Sequence, residues 1–250
     1  MDYAALLLLG LCIYTTQAIS YDGTAASWTS YEKLNLCPNA DASLYLTFKT
    51  EERDGLIAYM DDGGQSDYLM VLLKNGRVTL KYKFGEGADE TVFERSDYDV
   101  TLNSETSIAI TRQRMTMKLE IEGDQGTLHQ IANFGSDLCF GDCLDGYAMS
   151  PKISQLYVGG VPAAMKSQRL TGVPSFTGEI YNLEYKNCDC RPSNPLVVSV
   201  GEALTESAPQ DPCFNKTTAE PGSGCVCRGD RQSNTCSCGY ECISTCTRKL

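Results

Sequence analysis

Asp67 is the first residue whose position invites chemistry. It precedes an apolar run, Tyr68-Leu69-Met70-Val71-Leu72-Leu73, that ends at Lys74 and meets Asn75-Gly76. Asn-Gly supplies the two positive-φ residues of a type I′ turn, so the segment predicts a β-hairpin. The return arm alternates, with Val78, Leu80, Tyr82 and Phe84 on one face and Thr79, Lys81 and Lys83 on the other. A hairpin brings the end of its second arm back beside the start of its first. An acidic side chain next to a strand end is an arrangement that could hold a cation. The plainer reading of an acid before a strand is a solvated loop residue.

Other residue types narrow the chemistry. His129 is the only histidine, so any Ser-His-Asp or Cys-His arrangement would depend on it alone. Thirteen cysteines are present, of which Cys12 lies in an apolar N-terminal stretch. The rest are Cys37, Cys139, Cys143, Cys188, Cys190, Cys213, Cys225, Cys227, Cys236, Cys238, Cys242 and Cys246, an even number in a chain that reads as exported. They are therefore expected to be disulfide-bonded, which removes them as nucleophiles and as zinc ligands. No enzyme is expected. Asn215-Lys216-Thr217 is a glycosylation sequon. Arg228-Gly229-Asp230 is an integrin-type tripeptide, a short motif that also recurs by chance.

The elements that must carry these residues read as strands. Residues 43–50, 55–60, 91–94, 106–111, 115–121, 153–158 and 176–185 are short runs of β-formers, several of them alternating, separated by Gly, Asn and Asp turns. No helical period persists for three turns. The expectation is an all-β, antiparallel sandwich of about a dozen strands. Residues 21–36, with the only tryptophan, Trp28, lead into the first strand, and Trp28 is expected as a packing anchor. Residues 128–152 are the longest weakly patterned stretch and hold Cys139-Phe140-Gly141-Asp142-Cys143, read as a small disulfide loop.

Charge and composition set the organisation. Of the net charge of −11, −9 lies within residues 21–188, because the leader and the stretch from Asp189 each carry −1. An acidic domain argues against nucleic acid and anionic membrane as partners. Residues 4–14 form an apolar segment too short to span a bilayer, followed by small residues near position 18, which fits a signal peptide over residues 1–20. The mature product is expected to be secreted, without membrane insertion. Nine cysteines fall at or after Cys188. The domain reading is a sandwich over residues 21–188, a Pro/Ser-containing linker over 189–212 and a Cys-rich segment over 213–250 that disulfides must hold together.

The series SLYLTFKTEERDGLIAYMDDGGQSDYLMVLLKNGRVTLKYKFG, then LYVGGVP, then FTGEIYNLEY, resembles the laminin G or LNS domain, and most of all the first LNS domain of the α-neurexins. The resemblance implies a concanavalin-like jelly roll of two packed antiparallel sheets. It also implies a Ca²⁺ site at the sandwich rim, with Asp67 as a carboxylate ligand and the carbonyls of Phe84 and Met149 beside it. The position at which relatives carry an Asn ligand is Pro151 here, with Ser150 and Asp145 nearby as substitutes. The tail resembles a degenerate EGF-like module built on Cys213, Cys225, Cys227, Cys236 and Cys238. Ser104-Glu105-Thr106-Ser107 replaces a Trp-His pair usual in relatives. The implied function is a secreted or cell-surface adhesion module that binds extracellular proteins or glycans. The alternatives are a soluble lectin-like or small-ligand carrier, and a secreted Cys-rich effector presented by the sandwich.

Overall fold

Strand-forming runs broken by turn residues condense into two stacked sheets. The computed structural model describes residues 18–36, 41–85, 90–94, 99–100, 102–114, 116–133, 152–165, 167–187, 193–204, 225–227 and 236–238. The strands are β1 (Ile19–Asp22), β2 (Thr29–Tyr31), β3 (Ala42–Lys49), β4 (Gly55–Asp61), β5 (Tyr68–Lys74), β6 (Arg77–Lys83), β7 (Thr91–Glu94), β8 (Thr106–Gln113), β9 (Thr116–Gly123), β10 (Gly126–Asn133), β11 (Leu156–Val158), β12 (Thr177–Lys186) and β13 (Val197–Val200). One sheet has six strands in the order β1-β12-β3-β8-β9-β10, the other seven in the order β13-β2-β11-β4-β5-β6-β7. Neighbouring strands pair antiparallel throughout. This is the expected sandwich.

The central hairpin has the register its sequence predicts. Lys74 faces Arg77 across a two-residue turn, and both Asn75 (φ 54°) and Gly76 (φ 81°) adopt positive φ. That combination excludes β-branched residues there and matches the strand twist. Val78, Leu80, Tyr82 and Phe84 are all buried, as the alternation requires. Thr79 is buried as well, on the outward face opposite Leu72.

Period-2 alternation builds the core from both sheets. Leu44, Leu46, Phe48, Ile108, Ile110, Leu119 and Ile121 meet Met60, Leu69, Val71, Leu73, Leu80 and Tyr82 between the layers. Phe176 closes one end, standing edge-on to Phe48 (5.9 Å, 88°) and Tyr21 (6.3 Å, 75°). A second apolar layer lies outside the seven-stranded sheet. There Leu56, Tyr59, Tyr68, Met70 and Leu72 pack against Val161 and Leu170 from a strap, residues 161–173, that contains two short 3₁₀ turns. A bulge between Leu56 and Ala58 shifts the register of β4.

Several expectations are corrected. Residues 21–36 do not merely lead into the first strand, since β1 ends and β2 lies within this stretch. Trp28, expected as a packing anchor, is half-buried and packs edge-on against Tyr157 at 5.8 Å. The start of the weakly patterned stretch is β10, an edge strand whose alternation is broken, with Gln130 on the inward parity and Ile131 exposed on the outward one. The expected linker contributes β13, which pairs with β2, and Leu204, which is buried in the core. Val197 and Val200 supply enough apolar surface to dock a short strand, which composition alone had hidden. In the tail, residues 225–227 pair with 236–238 so that Cys225 faces Cys238 and Cys227 faces Cys236 along the backbone.

Candidate functional site

The open end of the β5–β6 hairpin places Asp67 where the sequence suggested. Residue parity along β5 puts it on the inward side with Leu69 and Val71, and it is only 2% exposed. Its Oδ1 accepts hydrogen bonds from the Gly85 N–H (3.0 Å) and the Ser66 hydroxyl (2.9 Å). The carboxylate therefore ties the peptide after Phe84 to the start of β5, and the two strand ends predicted to lie together do so.

Two further acids, read from sequence only as turn residues, complete the local structure. Asp62 is 5% exposed and accepts from the N–H groups of Ser66 (3.0 and 3.1 Å) and Asp67 (3.1 Å). Asp61 is buried, and accepts from the Tyr59 hydroxyl (2.8 Å) and the Gly63 N–H (3.2 Å). Asp61 also fixes β4 to the segment before β11, because Ser154 N–H donates to its carbonyl (2.7 Å) and its own N–H donates to Ser154 Oγ (3.1 Å). These bonds hold the 61–67 turn from beneath. Gly63, Gly64 and Gln65 stand exposed on top, the glycines at positive φ (82° and 81°). Polar side chains that bond nearby backbone are the usual builders of such turns.

Two arginines flank the turn. Arg112, on the inward parity of Ile108 and Ile110 in β8, is fully buried. Its Nη1 donates to the Leu36 carbonyl (2.8 Å), its Nε to the Arg114 carbonyl (3.1 Å), and its guanidinium lies 5.5 Å over the Phe84 ring. Burial pulls its pKa down to about 10, while Tyr82 and Asp67 act to raise it, so it stays charged at neutral pH. On the outside, Arg169 of the strap stacks 4.7 Å over Tyr68 and reaches the carbonyls of Ser66 (3.4 Å) and Gln65 (3.5 Å). Tyr68 bonds Glu90 through its hydroxyl, and burial and that carboxylate keep the phenol well above its usual range. Tyr59 is pushed up to about 12, mainly by burial, and its hydroxyl also reaches Ser167 (3.0 Å), tying the strap to the turn.

The residue set can be tested against a Ca²⁺ ion, which takes six to eight oxygens. Among the described residues no three His, Cys, Asp or Glu side chains converge to hold a metal. The oxygens of Asp61, Asp62 and Asp67 named above accept protein hydrogen bonds. Phe84 is in place beside Asp67, with its ring on the buried guanidinium. Of the ligand set the resemblance implies, Asp67 and Phe84 are described, and they adjoin through the Gly85 N–H. Met149, Asp145, Ser150 and Pro151 lie outside the described residues, as do Asn215, Arg228, Gly229 and Asp230, and Cys37, Cys139, Cys143, Cys188, Cys190, Cys213, Cys242 and Cys246.

Elsewhere, His129 sits on the outward face of β10, with Nδ1 2.9 Å from Glu120 Oε1, which also takes Lys118 (2.9 Å). Among the described residues no hydroxyl or thiol bonds its ring. Sequence reasoning missed Arg112, although the parity of Ile108 and Ile110 points it inward. It also missed Arg169, for which a strap without periodicity gives no signal.

Comparison with known proteins agrees with this architecture. The sequence model of the laminin G domain matches residues 48–189. The chain is 30% identical over 190 residues to Neurexin 1 of Drosophila melanogaster, an alignment covering 73% of this chain and 10% of that protein. It is 25% identical over 230 residues to Neurexin-3a of Danio rerio, covering 87% of this chain and 12% of the relative. The chain thus spans about a tenth of the length of these relatives. Among solved structures, the LG1-3 region of the laminin alpha2 chain superposes with a TM-score of 0.57 at 16% identity, covering 74% of this chain and 34% of that one. Domains LG4-5 of the mouse laminin alpha1 chain give 0.57 at 14% identity, covering 74% and 45%. No helix among the described residues is long and apolar enough to cross a membrane. With the strand series, the two-sheet topology and a sequence match over most of the sandwich, the chain belongs to the laminin G domain family.

Proposed function

We propose that this chain is an extracellular recognition module that binds a cell-surface protein or glycan through the rim formed by the 61–67 turn, without catalysis. The observation that carries this reading is the contrast within the turn. Its carboxylates are buried and bonded to backbone, while Gly63, Gly64 and Gln65 are exposed on that rigid base. A loop fixed from below loses little entropy when a partner covers it. The leader, the acidic sandwich and the cysteine content support an exported product, and the family supports adhesion as its role. Ca²⁺ enters this reading as a bridging ion, with Asp67 and the Phe84 and Met149 carbonyls as its candidate ligands.

Binding of the full chain to cell surfaces, with and without Ca²⁺ and after protease treatment of the cells, tests the proposal. Saturable binding that weakens at least roughly tenfold in Gln65→Arg is the expected outcome, equivalent to losing about 1.4 kcal/mol. Unchanged binding in that variant removes the rim from the reading. Loss on protease treatment assigns a protein partner, and retention assigns a glycan.

A carrier reading rests on the groove between the strap and the β1–β2 connection, lined by Gly23, Ala25, Ser167, Thr171 and Ser175. Retention of a small apolar or sugar ligand by the purified chain would favour it. The Cys-rich effector reading predicts activity from residues 189–250 alone.

A further inference from the structure

Among the described strands, four end the two sheets: β1 and β10 the six-stranded one, β13 and β7 the seven-stranded one. β1, β7 and β13 have four residues each, and β10 has eight. A long sheet edge is a template for another strand, and proteins guard it with charge, proline, a bulge or brevity. β10 has none of these. Its sequence, GTLHQIAN, holds no Lys, Arg, Asp, Glu or Pro, and it pairs with β9 over its full length without a register shift. Two neighbouring side chains are also misplaced for an edge that meets water. Ile131 stands on the outward parity at 61% exposure, the most exposed large hydrophobic among the described residues. Gln130 takes the inward parity, between Leu128 and Ala132, which pack on the core. Its amide oxygen is buried without a hydrogen-bond partner among the described residues, which costs free energy.

We propose that β10 is a self-association edge, on which β10 of a second copy adds antiparallel about a two-fold axis and joins the two six-stranded sheets into one. Two-fold symmetry makes the contact isologous, so that if one position faces another, the second also faces the first. The pleat requires inward residues to meet inward ones, since a slip of one residue turns every side chain to the wrong face. Of the registers that meet both conditions, the one centred on Gln130 sets this residue opposite its own copy. A side-chain amide is both donor and acceptor, so the two Gln130 amides bond reciprocally across the axis and each buried oxygen gains a donor. Cross-strand neighbours lie about 5 Å apart at Cβ, within reach of such a pair. On the outward face, Ile131 of each copy comes beside His129 of the other, which covers the exposed side chain.

The occupant follows from the strand itself. A second copy brings an amide to the position where Gln130 lacks a partner and an imidazole to the position where Ile131 is bare. The chain is acidic as a whole, yet it meets its copy here through a strand without an acidic residue. Strand addition draws affinity from main-chain hydrogen bonds and specificity from alternate side chains. Both copies use the same edge, so the pairing closes as a dimer and does not propagate. A dimer carries two 61–67 turns, which raises avidity for a surface without any new contact.

Sedimentation velocity of the full chain, from micromolar to sub-millimolar concentration, tests this directly. The expected result is a monomer–dimer equilibrium with no larger species. A monomer at every concentration overturns the proposal, and is the result if the chain's own residues 134–151 cover the edge. Ile131→Lys places a charge on an exposed edge position, so Tm is kept while dimerisation weakens at least roughly tenfold. A dimer unchanged in that variant overturns the assignment of the edge. Crosslinking on a non-reducing gel reads the register. Gln130→Cys should form a covalent dimer, because the residue faces its own copy, and Thr127→Cys should not. Equal crosslinking of the two overturns the register. Where Gln130→Cys gives no folded protein, His129→Cys and Ile131→Cys chains are mixed, and the crosslink is expected in the mixture and not in either alone. None of these readouts involves the rim or its partner, so this proposal and the recognition reading fail independently.

Discussion

On the seven-stranded sheet, the outward side chains Leu56, Tyr59, Tyr68, Met70 and Leu72 are as buried as the inward ones, because the strap lies across them. On the six-stranded sheet, the outward Tyr45, Ser107, Lys118, Glu120 and His129 are half-buried or exposed. The difference shows in the sequence. Strand β5 reads YLMVLLK, an unbroken apolar run, whereas β9 reads TMKLEIEG, a clean alternation. A strand covered on both faces must be apolar throughout, and a half-covered one need not be. The strap therefore makes one sheet face structural. It leaves the other face and the rim turns as the surfaces that can change without cost to the core.

This contrast is broken most severely at Tyr59. The side chain is fully buried on the outward face and bridges Asp61 and Ser167. Tyr59→Ala is expected to cost roughly 3–5 kcal/mol by chemical denaturation, as other large aromatic truncations do. Tyr59→Phe keeps the ring and separates the hydroxyl's share, about 1 kcal/mol. If the outward layer were incidental, Tyr59→Ala would cost no more than a surface change. Leu170→Ala comes next. It removes the strap's own anchor at 8% exposure and should cost about 2 kcal/mol, the low end for such truncations. It should also raise proteolytic cleavage within residues 161–173 before global unfolding. Cleavage rates equal to wild type would show that the strap is held by something other than Leu170.

How much was legible follows from the same asymmetry. The hairpin was readable because Asn75-Gly76 dictates its turn and Val78, Leu80, Tyr82 and Phe84 dictate its face. Asp67 was placed correctly for the same reason, since a fixed register fixes what stands at the strand start. Strands β1, β2 and β13 were not legible. They are short, and their pairing is decided by partners far along the chain, as Ile19 with Ile180 and Val197 with Tyr31 show. The chemistry around Asp67 was half legible. A buried arginine on an alternating strand is visible by parity, but the strap arginine reaches the turn through tertiary packing that no local pattern encodes.

The opposite prediction applies to the six-stranded face. Tyr45 donates to Ser107 (3.1 Å) at 37% exposure, so Tyr45→Phe should cost no more than about 0.5 kcal/mol. Glu120 is the smallest case, although it looks the best connected. It takes both Lys118 and His129 at 2.9 Å, but those side chains are 36% and 51% exposed, and each gives up rotamer freedom to hold the pair. The pair gains little, because water competes for every charge in it. Glu120→Gln should therefore change stability by less than about 0.5 kcal/mol, with the difference fading in high salt as the Debye length shortens. A loss above about 1 kcal/mol that persists in salt would mean that this face is covered, as the strap covers the other. The two sheets would then be alike in burial, and the alternation along β9 would have to be explained by something other than solvent.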